Sequence, residues 1–150
     1  MVGDTTLNEA KQYLRDNWEE GVECPCCTRR VKLNPYGMGQ NKAWVLIQMY
    51  KIPKEWINVN KEIKPTGRNW SECKHWGLIE AMPNDDPEKH TSGFWRLTDA
   101  GVRFVLGQED VPTKKGVFKD KVYKTSKERI NIKEALGKKF NYTELMSERV

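Results

Sequence analysis

The 150-residue chain has no apolar run approaching the ~20 residues a helix needs to cross a bilayer. Its N-terminus, MVGDTTLNEAKQYLRDNWEE, is acidic and amphipathic, unlike a secretory leader. Two histidines leave few general bases. There is no glycine-rich phosphate loop, no nucleophile elbow and no His–carboxylate pairing at a telling spacing. These absences predict a cytoplasmic chain with no membrane partner and no catalytic activity. In a reducing compartment, the four cysteines are expected as core residues or metal ligands, not as disulfides. Internal repeats and low-complexity tracts are also missing, so the length fits one ordinary domain with an extension.

What is present is uneven charge. The net charge is +5, but residues 1–28 carry two basic against six acidic side chains, and residues 29–82 carry ten against four. Residues 83–113 carry three against six, and residues 114–139 carry ten against three. Two basic blocks separated by acidic ones can form a patch that faces a polyanion, or they can be solvated lysine-rich faces.

Along the chain, Asp4 is placed to cap a first helix with Leu7, Ala10, Leu14 and Trp18 at helical spacing and Gly21 as its stop. Val22 to Leu33 reads as two extended pieces around a turn, and Asn34-Pro35-Tyr36-Gly37 as a break. Ala43 to Tyr50 is apolar nearly all round, as expected of a buried helix. Trp56 to Val59 is strand-like, followed by a short helix through Ile63. Asn69 with Glu72 has capping-box spacing for the next helix. After Gly107, a hairpin is expected around Lys119-Asp120-Lys121, and Asn131 with Glu134 and Asn141 with Glu144 predict two short helices. The expected organisation is residues 1–41 as helix and Cys-Pro-Cys-Cys hairpin, 42–110 as core, and 111–150 as a basic extension packed on it.

Between Trp70 and Phe104 the order is helix to Gly77, strand through Leu78-Ile79-Glu80, a loop, strand Phe94 to Leu97, and a helix opened by Thr98 or Asp99. This order, with its G-L-I-E and W-x-L-T-x-x-G segments, resembles winged-helix domains of the MarR and PadR type. The resemblance covers roughly residues 42–107 and implies an α+β fold, a winged helix-turn-helix core, and duplex DNA as partner. The chain's ending and its Cys-Pro-x-Cys turn also resemble small phage and prophage proteins. That second resemblance suggests a transcriptional regulator in a bacterial host cell. The alternative is a protein-binding module that occupies a host protein. The oligomeric state stays open, a homodimer included.

Under this reading the helix from Asn69 to Trp76 is the recognition helix, with Trp70 and Cys73 inward. The outward residues would be Arg68, Asn69, Ser71, Glu72, Lys74 and His75. Arg and Asn suit base edges, while Ser and Lys suit phosphates. Glu72 is discordant, and Asp85, Asp86 and Glu88 against Lys89 make the wing tip acidic. DNA contacts would then also draw on Arg29, Arg30, Lys32 and the basic C-terminal block. Of the six tryptophans, Trp44, Trp70 and Trp95 are assigned to the core; an exposed Trp18, Trp56 or Trp76 would favour a protein interface.

Cys24-Pro25-Cys26-Cys27 holds a Cys-x-x-Cys pair, Cys24 and Cys27, on a tight turn, the way a knuckle presents two thiolates to a structural zinc ion. The other ligands would come from Cys26, Cys73, His75, His90 or a second protomer. With no second Cys-x-x-Cys, the alternative is an empty, degenerate knuckle. Redox chemistry is disfavoured, because no strand–helix context surrounds the turn. Cys73, four residues before Gly77, is assigned to the core.

Overall fold

The computed structural model of the chain describes residues 6–27, 29–67, 69–83, 93–118 and 121–147. Within them the fold mixes short helices with small antiparallel sheets. Helix α1 (Leu7–Asn17) is capped by Thr6, whose hydroxyl accepts from the Glu9 N–H; the expected cap, Asp4, lies outside the described residues. Gly21, at φ +92°, turns the chain into β1 (Val22–Glu23), which pairs with β2 (Arg30–Val31) around the cysteine turn.

Asn34–Gly37 is a strand, β3, and not the break its composition suggests. Its partner is β7 (Lys114–Phe118), far along the chain, and β7 pairs in turn with β8 (Lys121–Thr125). Pro35 is tolerated because β3 is an edge strand with no second ladder to donate to. The expected C-terminal hairpin is therefore two strands of a three-stranded sheet, with β7 in the centre and β8 at the edge opposite β3. Two further short strands, β6 (Val111–Pro112) and β9 (Arg129–Ile130), pair beside it.

Helix α2 (Gln40–Lys51) buries Ala43, Val45, Leu46, Ile47 and Met49, and the other core helices pack around it. The strand expected over Trp56 to Val59 shortens to one bridge, Ile57 to Trp95, and Val59 instead opens α3 (Val59–Glu62) behind the Asn58 cap. The Asn69–Trp76 segment is helical as expected, but it is a 3₁₀ helix. It leads into β4 (Ile79–Ala81), paired with β5 (Trp95–Leu97). Trp95 thus lies between Ala81 and Ile57, with its ring edge-on to Trp70 at 5.4 Å.

Thr98 caps α4 (Asp99–Val105), accepting from the Gly101 N–H and donating to the Gly77 carbonyl. A Cβ at Gly101 would fall 2.1 Å from the Leu78 carbonyl oxygen, so α4 can lie this close to β4 only with glycine there. Helix α5 (Ile132–Leu136) starts with the full Asn131–Glu134 capping box and stops at Gly137. Helix α6 (Tyr142–Ser147) follows, with the Glu144 N–H on the Asn141 side chain. Leu136 and Leu145 join Leu46 and Phe104 in one core, where burying each such side chain contributes about 1.5–3 kcal/mol. No helix among the described residues is long and apolar enough to cross a membrane.

Candidate nucleic-acid interface

The Asn69–Trp76 helix decides which side chains reach solvent, and its 3₁₀ geometry changes the expected set. With three residues per turn, positions i and i+3 eclipse, so the side chains form three rows. One row is Trp70, Cys73 and Trp76. Trp70 and Cys73 are buried, and Trp76 is half-buried with its Nε1–H on the Pro112 carbonyl at 2.7 Å. A second row is Asn69, Glu72 and His75. A third is Ser71 and Lys74. An α-helix would have swung Glu72 and His75 to the outer face; here both are half-buried.

Glu72 is the carboxylate partner of Lys42, at 2.8 Å. Lys42 is itself buried, at 7% exposure, and its ammonium also donates to the Gly37 carbonyl at 2.6 Å and lies over the Trp76 ring. Sequence reasoning missed this lysine, because a charge in an apolar helix reads as a solvated position. The pair ties the 3₁₀ helix to α2 and removes Glu72 from the surface it was expected to make acidic. Beneath it, burial pushes the Cys73 thiol up to about 12, with the Lys42 charge opposing, so Cys73 stays a neutral core group.

His75 stacks on Tyr36 of β3, with ring centroids 5.6 Å apart and planes inclined by 25°. This contact brings the β3–β7–β8 sheet beside the helix. Opposed residues share a sheet face and alternate along each strand. Tyr36, Lys115 and Thr125 therefore form one face, the His75 side, where the Lys115 ammonium donates to the Thr125 hydroxyl at 3.2 Å. Partial burial, and then the Arg129 charge, lower the Lys115 pKa from its ordinary value. Lys114 and Lys121, exposed at the starts of β7 and β8, belong by register to the other face, with Gly116 and Phe118.

Pro35, Gly116 and Lys124 occupy the opposite face. Leu33 packs against Gly116 there, and Lys124 pairs with Glu19 behind α1. Arg29, Arg30 and Lys32, all exposed, belong to the hairpin on this side, with Arg30 reaching the Glu20 carbonyl. The residues expected to grip DNA thus divide: Asn69, Ser71, Lys74 and His75 lie on the helix, and Arg29, Arg30 and Lys32 lie across the sheet from it. Arg68, the acidic wing tip with Lys89, and His90 fall outside the described residues.

The three undecided tryptophans all have partners. Trp18 packs on Phe118 and Tyr123, the Arg96 guanidinium lies over Trp56 at 4.4 Å, and Trp76 is bonded as above. None of them is exposed, which withdraws one support from a protein interface. Trp44, assigned to the core, is half-buried against Phe140. In the cysteine turn, N–H groups of Cys27 and then Cys26 lower the Cys24 pKa by donating to its sulfur. No disulfide joins any of the four cysteines.

No family model, curated protein or solved structure matches the chain.

Proposed function

We propose that this chain is a non-catalytic DNA-binding protein with a winged-helix core, a regulator of phage or prophage type. Duplex DNA would meet the Asn69–Trp76 helix and the lysine-bearing sheet beside it. The observation that carries the reading is the His75–Tyr36 stack. It joins the helix before the β4–β5 ribbon to the strands carrying Lys114, Lys115 and Lys121. The order of elements adds support for the core: a single bridge at Ile57 pairs beside β5, ahead of a short helix, a turn and a second helix. That is the sequence of parts in which a helix-turn-helix presents its second helix to the major groove.

In this reading Asn69 and Lys74 face the duplex, while Lys115, on the sheet face that His75 touches, meets an adjoining phosphate. The test is binding of the full chain to mixed-sequence duplex DNA across a salt series. Affinity should fall steeply with salt, with a log–log slope of about −0.9 for each phosphate neutralised. Lys74→Glu and Lys115→Glu should weaken binding and flatten that slope, whereas Lys32→Glu, across the sheet, should change it little. Absence of duplex binding at low salt ends the proposal. A Lys32→Glu loss as large as that of Lys74→Glu would place the contact on the other face.

A further inference from the structure

The Cys24–Cys27 turn serves neither the core nor the basic sheet. β1 and β2 hold its ends, and the Cys24 N–H donates to the Arg29 carbonyl at 2.8 Å, so the loop is closed in a fixed shape. Inside it the N–H groups of Cys27 and Cys26 both point at the Cys24 sulfur, and the thiols of the same two residues reach that atom. A tight turn whose amides surround one cysteine sulfur, with the second cysteine of a Cys-x-x-Cys pair beside it, is the geometry in which a knuckle presents two ligands to one zinc ion. Cys24 is buried while Cys26 and Cys27 are exposed, so an ion held here would sit at the surface.

We propose that Cys24 and Cys27 form half of a zinc site, completed by the same two residues of a second copy of the chain. One ion would join two protomers through four thiolates, the four thiol protons leaving to solvent. Three observations argue for a shared site. Among the described residues no three His, Cys, Asp or Glu side chains are grouped to hold an ion, so the pair has no third ligand there. Cys73, at 1% exposure, is sealed under the 3₁₀ helix, His75 stacks on Tyr36 beside that helix, and neither is grouped with the cysteine turn.

The third observation is charge. Arg29, Arg30 and Lys32 follow the turn and are exposed, so two hairpins brought together would repel each other. A zinc ion with four thiolates carries a net charge of −2, which places an anion between the two cationic hairpins. Four sulfurs in a closed tetrahedron are also the usual ligand set of a structural zinc site. The proposal does not depend on DNA binding, although a two-fold pair would present two Asn69–Trp76 helices.

The test uses the full chain purified without chelator, with zinc measured by elemental analysis and mass by light scattering. About half an ion per chain is expected, in a dimer that a chelator converts to metal-free monomer. Cys27→Ser should lose both metal and dimer, and Cys26→Ser should keep both. Circular dichroism checks that Cys27→Ser is folded; if it is not, chelation of the unsubstituted chain decides. One ion per monomeric chain, a metal-free protein, or a dimer indifferent to the chelator would each overturn the shared site.

Discussion

Around α2, Lys42 is matched by Glu72, Lys54 by Glu62, Arg96 by Glu55 and Glu80, and Arg103 by Glu109. On the β3–β7–β8 sheet, Lys124 pairs with Glu19, whereas Lys114, Lys115 and Lys121 have no carboxylate partner among the described residues. The two regions are both rich in cations but dispose of them differently. Exposed ion pairs contribute only ~0–1 kcal/mol each, so the contrast says little about stability. It says which charges remain available. Several cations of the helical region close on its own carboxylates, whereas three of the four lysines in β7 and β8 have no carboxylate partner among the described residues. Burial differs in the same sense: α2 is buried on most sides, while every residue of β8 is exposed.

The largest expected effect lies in the helical region. Trp95 is 6% exposed, held between Ala81 and Ile57 and edge-on to Trp70. Trp95→Ala should therefore cost about 3–5 kcal/mol, the usual loss on emptying a core site of a large aromatic. Against a total of about 5–15 kcal/mol, this would appear as a clear fall in the denaturation midpoint. A variant of unchanged stability that had lost a binding partner would instead make the ring a surface anchor, and the contrast between the regions would fail.

How much of this was legible in the sequence depends on how far each signal reaches. Caps are local, so Thr98, Asn131 with Glu134 and the stop at Gly77 were readable, as were Trp70, Cys73 and Trp95 as core positions. β3 was not, because Asn34-Pro35-Tyr36-Gly37 is turn-like by composition and becomes a strand only through Val117 to Lys114, a partner no local window contains. The candidate site suffered from a different limit. Capping-box spacing locates a helix start but does not distinguish a 3.6 from a 3.0 period, and that difference alone moves Glu72 and His75 from the outer face into contacts with Lys42 and Tyr36.

A smaller effect is expected at Lys42. Lys42→Met keeps the stem's length and apolar packing but leaves the Gly37 carbonyl and Glu72 without the ammonium that serves both. Removing one partner of a fully buried pair costs more than this, but Glu72 is 22% exposed and can be rehydrated. The loss in chemical denaturation should be about 1–3 kcal/mol, the range for a lost hydrogen bond to a charged group. DNA affinity should fall with it, because the 3₁₀ helix loses its tie to α2. Unchanged stability with weakened binding would assign the pair to placing the helix rather than to holding the fold.

The smallest effect, and the sharpest test of the contrast, is expected on the sheet. Lys114 and Lys121 are exposed at the starts of their strands, with no carboxylate partner among the described residues. Their aliphatic stems cover little, and a surface substitution away from caps and buried networks ordinarily changes stability by less than about 0.5 kcal/mol. Lys114→Glu and Lys121→Glu should therefore leave the denaturation midpoint nearly where it was. The same two reversals, on the sheet face away from His75, are expected to weaken duplex binding less than Lys74→Glu does, and most at low salt, where screening is least. Stability held while binding falls only slightly would mean that these lysines are solvated charges outside the fold's own pairing, and a fall as large as that of Lys74→Glu would place the duplex on their face. A loss of stability above about 1 kcal/mol would mean that the lysines are part of how the sheet is held, and the two regions would then not differ in the way their charges are used.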